Sequence, residues 1–214
     1  MMKTIIFQTD NIAKTFNNRK IFSEISFSLK EKDSIAITGR NGSGKSTLLK
    51  ILAGVLTPTR GTTELKIDGK IIKSEDYFNQ LGLVSPYLQL YDEFTGWENL
   101  DFFRRVRNIS VEDKYLDELL YRFNIWERRN DYVRTYSSGM KQRLKYAFAL
   151  IHKPPILLLD EPTSNLDAEG ISTVYDTMEE HKKNGILIVA TNDSEDIKHC
   201  GQVIDLNNQT GRRK

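Results

Sequence analysis

Gly39-Arg40-Asn41-Gly42-Ser43-Gly44-Lys45-Ser46 fits the spacing G-x-x-x-x-G-K-[ST]. The run follows the β-branched stretch Ser34–Thr38 and leads into Lys45–Gly54, where Leu48, Leu49, Ile51 and Leu52 recur at helical spacing. In that setting glycines let the backbone curl until successive N–H groups point at phosphate oxygens. The helix N-terminus adds about half a positive charge. Lys45 is placed to reach the β- and γ-phosphates and Ser46 to offer its hydroxyl to Mg²⁺, while Thr47 belongs to the same binding segment. A flexible Gly/Ser loop that binds nothing would not need a strand before it and a helix behind it. The motif predicts a nucleotide site.

Ile156-Leu157-Leu158-Leu159-Asp160-Glu161 is an apolar run closed by two acids, and Pro162 stops it at once. A buried parallel strand delivers such side chains to the crevice at its C-terminal edge, where ligands bind in open α/β sheets. Asp160 is the candidate to hold Mg²⁺. Glu161, one residue further on, is the candidate base that polarises the water attacking the γ-phosphate. An acid at a strand end is commonplace by itself; the phosphate loop upstream selects the functional reading.

These groups need a scaffold, and the chain is long enough to supply one. Its 214 residues, 39% hydrophobic, suffice for one domain with a proper core. With 31 Lys+Arg against 29 Asp+Glu, the net charge of +2 argues against general nucleic-acid binding. The single Cys200 excludes an internal disulfide and suits a reducing compartment. The longest apolar runs, Ile156–Leu159 and Ile186–Ala190, are far short of the ~20 residues of a spanning helix. The N-terminus turns polar too soon for a signal-peptide core, so a cytoplasmic protein is expected.

Along the chain, Ile21, Ser23, Ile25, Phe27 and Leu29 mark a two-residue period and predict a strand with these positions on one face. Thr62–Ile72 reads as a hairpin turning at Asp68-Gly69. Residues from about 86 to 152 are charged, rich in Arg and aromatics and helical in period, with a capping box expected at Ser110 and Asp113. A helix near 168–183 then separates two continuous apolar strands, which implies a parallel sheet covered on both faces. His152 is read as a partly charged helix end, and His181 and His199 as isolated. Arg128-Arg129 and the tail Arg212-Arg213-Lys214 are read as solvated, the tail also as a weak contact for anionic lipid.

Tyr136-Ser137-Ser138-Gly139-Met140-Lys141-Gln142-Arg143-Leu144 lies one helix's length before the acid strand. It resembles the signature motif of ABC-type ATPases, in which a serine and glycine backbone at a helix N-terminus grips the γ-phosphate held by the opposite subunit. Ser137 can cap that helix, with Lys141 and Arg143 nearby. The resemblance extends over nearly the whole chain. It implies a P-loop NTPase (RecA-like) α/β fold: a parallel-sheet core, an antiparallel β edge region and a helical subdomain. One ATP-binding domain would span 1–214, with the core at 1–86 and 151–214 and the helical subdomain at 87–150.

By the same resemblance Phe16 stacks on adenine, its alternative being a core aromatic in a strand. Gly39 to Thr47 hold the phosphates, with Ser137, Ser138 and Gly139 acting across the dimer. Ser164-Asn165-Leu166-Asp167 resembles the D-loop, which brings Asp167 to the site. Three departures stand out. Ser138 and Met140 replace the usual glycine and glutamine, which leaves the backbone donors in place. Pro86 falls at the Q-loop glutamine, leaving open whether Gln89, three residues later, takes its place. Asn192 replaces the histidine that touches the γ-phosphate; its amide can donate a hydrogen bond but cannot become cationic. Slow or partner-dependent hydrolysis is the expectation.

The leading reading is therefore the ATP-binding and ATP-hydrolysing subunit of an ABC transporter, resembling those of haem and other small bacterial exporters. Its partners would be an integral membrane subunit and a second ATP-binding subunit, in a homodimer or heterodimer, with no nucleic acid. It would sit peripherally on the cytoplasmic face of the membrane. Phe102 on the helix after the Q-loop is a candidate exposed anchor, whereas Trp97, Leu100 and Phe103 follow a core-facing spacing. The alternatives are a soluble ABC-type ATPase serving a cytosolic assembly and a nucleotide-gated clamp with weak hydrolysis.

Overall fold

A computed structural model describes residues 4–208; the basic tail Arg212-Arg213-Lys214 lies outside the described residues. β1 (Ile5–Phe16) pairs antiparallel with β2 (Arg19–Lys30) across a turn in which Asn17 and Asn18 both take left-handed φ, 46° and 62°. β1 pairs on its other side with β4 (Arg60–Ile67), and β4 with β5 (Lys70–Ile72) across Asp68-Gly69, the turn expected. The antiparallel region is thus a four-stranded sheet of its own, ordered β2-β1-β4-β5.

Its inner face is not the one simple alternation predicts. Phe22, Ile25 and Leu29 are fully buried, while Ile21 and Phe27 are only half-buried. Asn11 (φ 47°) and Glu24 (φ 61°) break the period, and the β1–β2 register slips between Thr9 and Ile12 and again on either side of Lys14. Each slip turns the following side chains to the opposite face.

The second sheet is parallel throughout, ordered β6-β7-β8-β3-β9. Its strands are β3 (Ser34–Thr38), β6 (Leu81–Val84), β7 (Ile156–Asp160), β8 (Ile186–Ala190) and β9 (Gln202–Asp205). Every residue of β7 and β8 is buried, as continuous apolar runs in a doubly covered sheet require. Ile156, Leu158, Ile186 and Ile188 enter a core shared with the first sheet and with α1 (Lys45–Leu52). Leu157, Leu159, Leu187 and Val189 enter a second core with α2 (Gly96–Val106), α3 (Asp113–Arg122), α4 (Ser138–Leu150) and α5 (Ala168–Lys182). A short α6 (Ser194–Lys198) precedes β9.

α2 opens on a capping box that the sequence reading missed: Thr95 Oγ1 accepts from Glu98 N at 3.1 Å, and Thr95 N donates to Glu98 Oε2 at 2.8 Å. The box expected at Ser110 does not form. α3 starts at Asp113 behind Glu112, because the Arg104 guanidinium takes the Val111 carbonyl (3.0 Å) and the Asp113 carboxylate (2.6 Å) and holds the lead-in out of the helix. Among the described residues no helix is long and apolar enough to cross a membrane.

His152 is not a charged helix end. Burial, reinforced by Arg107, pushes its pKa down to about 4, and Nε2 lies 3.1 Å from the Leu81 carbonyl oxygen. His181, in the last turn of α5, is likewise pushed by burial to about 4, with Nε2 3.2 Å from the Ile186 carbonyl oxygen. Both rings are neutral in the folded protein near pH 7. From the ordinary value of 6.5 down to about 4 the unfolded chain binds protons that the folded chain refuses, so stability is lost as pH falls through that window. Chemical denaturation of the His152→Gln, His181→Gln double variant is expected to give a shallower loss from pH 6.5 to 4.5 than the parent chain. Comparing the two chains cancels the buried carboxylates; parallel curves would refute the assignment.

Candidate functional site

The register of the parallel sheet sets the site. Val84 lies beside Leu159, Asp160 beside Ala190, and Ala190 beside Ile37, so β6, β7, β8 and β3 end at one level. The row is continued by backbone bonds, from Glu161 N to the Ala190 carbonyl (2.8 Å) and from Thr191 N to the Ile37 carbonyl (3.1 Å). Ser85, Asp160-Glu161, Asn192 and Gly39 therefore leave the sheet along the same edge.

Gly39, Gly42 and Gly44 take φ of 144°, 80° and 103°. At Gly44 a Cβ would lie 2.5 Å from Ile21 Cγ2 and 2.9 Å from Phe22 Cδ1, so β2 leaves room there only for glycine. Ser43 N donates to the Arg40 carbonyl at 2.9 Å and closes the loop. α1 starts behind Gly44 with no side-chain cap and no acid in its first turn, which leaves its N–H groups, those of Ser46 and Thr47 included, open to an anion.

The Lys45 side chain is only 7% exposed. Its Nζ donates to the Gly39 carbonyl at 3.0 Å and pairs with Glu161 Oε1 at 3.4 Å. Asn192, expected to face a phosphate, instead holds the first turn of the loop: Oδ1 accepts from Gly39 N (3.3 Å) and Nδ2 donates to Asn41 Oδ1 (3.2 Å).

Asp160 is buried, and its Oδ1 finds no hydrogen-bond partner among the described residues. Burial raises its pKa, opposed by the Ser46 hydroxyl, the Lys45 and Lys50 charges and the Ser85 hydroxyl. An orphaned carboxylate oxygen next to a serine hydroxyl is the donor set of a hard, oxygen-seeking cation, so Asp160 and Ser46 fit Mg²⁺. Glu161 stands on a left-handed backbone (φ 51°) pinned by its N–H, with its side chain 39% exposed and turned toward Lys45. Ser85 escaped the sequence reading, because only the pairing of β6 with β7 puts it beside Asp160. Gln89 is exposed, and the buried polar residue that this segment sets at the level of Asp160 is Ser85.

A second cluster lies apart. Ser137 caps α4, its Oγ accepting from Met140 N at 3.2 Å. α2, α3, α5 and α6 each carry an acid in the first turn, whereas α1 and α4 carry none. Ser137, Ser138 and Gly139 line a cleft of about 370 Å³ with Asn165, Leu166 and Asp167, and no phosphate-loop residue contributes to it.

Lys141 and Arg143 are engaged by carboxylates of the chain itself. Lys141 pairs with Asp92 at 2.8 Å and Arg143 with Asp167 at 2.6 Å. Asp167 is already engaged: Oδ1 also accepts from Gly170 N at 2.9 Å to cap α5, and these bonds, with Arg143, pull its pKa down. Its carboxylate ties α4 to α5, a place unlike the nucleotide contact expected. Phe16, at the end of β1, is 44% exposed with the Lys14 ammonium 4.8 Å over its ring, so it is not a core aromatic. Trp97 and Phe103 pack on the second core and Leu100 is buried within it, while Phe102 stays partly exposed beside Tyr91 and Phe94.

Residues 22–164 match the family described as ABC transporter. The chain belongs to this family. It is 34% identical over 206 residues to the ABC transporter ATP-binding protein YxlF of Bacillus subtilis, covering 93% of this chain and 67% of YxlF. It is 32% identical over 219 residues to the lipoprotein-releasing system ATP-binding protein LolD of Protochlamydia amoebophila, covering 96% and 95% of the two chains. The fold matches the post-hydrolysis dimeric structure of the ATP-binding cassette MJ0796 bound to ADP and Pi, with a TM-score of 0.81, 23% identity and 93% of each chain covered. This ABC protein is thus an ATP-binding subunit with the P-loop ATPase fold.

Gly139 tests the second site. A Cβ there would lie 2.8 Å from the Asn165 carbonyl oxygen, which is backbone and cannot swing aside. Gly139→Ala is expected to lower the melting temperature while Ser138→Ala leaves it unchanged; equal melting temperatures in all three chains would show that the loop moves freely.

Proposed function

We propose that two copies of this subunit, or one copy and a close relative, close head to tail on two ATP molecules, and that the cycle of closing and opening drives an integral membrane partner at the cytoplasmic face. The observation that carries the reading is the division of the machinery. Lys45, Asp160 and Glu161 meet on one sheet edge, while Ser137, Ser138 and Gly139 line a cleft that none of them reaches. A second chain could bring its serine-led helix tip to the first chain's phosphates, with both helix N-termini, α1 and α4, aimed at the anion.

In this reading the open N–H groups of the phosphate loop and Lys45 hold the β- and γ-phosphates. Ser46 and Asp160 would hold Mg²⁺, which would offset the charge on those phosphates. Glu161 lets go of Lys45 when the phosphates arrive and turns to the attacking water as general base. Phe16, open to solvent at the end of β1, takes the adenine face. The dimeric state of MJ0796 and the lipoprotein-releasing role in LolD's name support the dimer and the transport context. The mutually packed rings of Tyr91, Phe94 and Phe102, 5.2–5.4 Å apart and partly exposed, are the docking face offered to the membrane subunit.

A clamp that closes on ATP and barely hydrolyses it is the second reading, favoured by Asn192 being bound to Gly39 and Asn41. Glu161→Gln is expected to bind ATP, lose hydrolysis by about 10²–10⁴-fold and accumulate as a dimer in size-exclusion chromatography with light scattering. Lys45→Ala is expected to lose ATP binding and stay monomeric. A Glu161→Gln chain that remains monomeric with ATP, Mg²⁺ and its membrane partner would overturn the proposal. Single-turnover hydrolysis by the parent dimer decides between engine and clamp.

A further inference from the structure

β6 ends at Val84 in register with Leu159, so Ser85 stands beside Asp160 on the sheet edge. Ser85 is buried at that level of the sheet edge, and its hydroxyl favours the ionised form of the Asp160 carboxyl. The same Oγ accepts from Tyr87 N at 3.3 Å, which leaves its own proton for a carboxylate oxygen. The next residue, Pro86, has no N–H with which to anchor the turn.

The anchor comes from another element. Lys145, in the middle of α4, donates from Nζ to the Ser85 carbonyl at 3.1 Å and to the Pro86 carbonyl at 3.2 Å. A partly buried ammonium on two neutral carbonyls loses some of its hydration, which a methionine or leucine at the same place would not. What the ammonium adds is direction: two charge-assisted bonds fix the turn against the helix whose first turn is Ser138-Gly139.

We propose that Lys145 is a positioning residue of the ATPase, a strut that fixes Ser85, and through Ser85 the metal-holding carboxylate Asp160, relative to the signature helix α4. The inference rests on the reading of Asp160 and Ser46 as the Mg²⁺ site. Partners one step out from a metal ligand affect metal affinity more than the binding of the rest of the substrate.

The test measures ATP affinity calorimetrically in the Glu161→Gln background, once in EDTA and once in saturating Mg²⁺. Lys145→Met is expected to leave the EDTA affinity within about twofold and to cut the Mg²⁺-dependent gain about tenfold. Lys145→Arg, which keeps the donors, is expected to restore most of the gain. Ser85→Ala is expected to match Lys145→Met, and the double variant to be no worse than either, since the two act in series. A Mg²⁺ gain unchanged in Lys145→Met, an equal loss in EDTA and Mg²⁺, or additive losses in the double variant would overturn the strut. If Lys145→Met does not fold, a full Mg²⁺ gain in Ser85→Ala overturns it alone. An Asp160→Asn chain that keeps the gain would instead overturn the metal-site reading.

Discussion

The level ends of four parallel strands are the constraint on which the site depends. A one-residue slip of a ladder covered on both faces would exchange the side chains of its two cores and shift the polar residues at its ends, and β7 and β8 are buried at every residue. The register that packs Leu157 and Leu158 into two different cores therefore also fixes Asp160 beside Ala190 and Ala190 beside Ile37. Removing one of these leucines would cost about 2–5 kcal/mol and loosen the row of polar groups along with the core.

How much of this is legible in the sequence depends on how local each feature is. The phosphate loop and the acid pair are readable because the glycine spacing and an apolar run closed by Asp160-Glu161 carry their meaning within a few residues. The Asp68-Gly69 turn is readable for the same reason, since φ values of 50° and 77° suit those residue types. The inner face of β2 is not, because the break at Glu24 is settled by the irregular pairing with β1 and not by the alternation within the run. Ser85 and Lys145 matter through neighbours far along the chain. Asp167 has the look of a site residue, yet its carboxylate is spent on Arg143 and Gly170. His152 reads as a charged helix end only until the burial that keeps it neutral is known.

The two sites on the chain are mechanically joined. Ser164 Oγ donates to the Glu161 carbonyl at 3.0 Å, and Asn165, the next residue, presses its carbonyl against Gly139. Leu166 and Asp167 then lead into α5, which Arg143 ties back to α4. A short run of residues thus connects the base of one site with the helix tip of the other, and the glycine at that contact is the residue through which movement would pass. The buried Asp196 stiffens the base of the same run, accepting from the hydroxyls of Thr191 (2.7 Å), Tyr175 (3.1 Å) and Thr163 (3.3 Å).

The two helices that lack acids at their starts have a consequence beyond the single chain. Among the described residues, α2, α3, α5 and α6 have a carboxylate to quench the partial charge of their exposed amides; α1 and α4 have none. Brought face to face without a guest, such ends would repel, and a polyanion between them turns repulsion into adhesion. Nucleotide in that position would act as mortar, and its terminal phosphate as the part of the mortar that can be dissolved. Cleaving that phosphate returns the surfaces to mutual dislike, so the outward stroke would need no spring of its own.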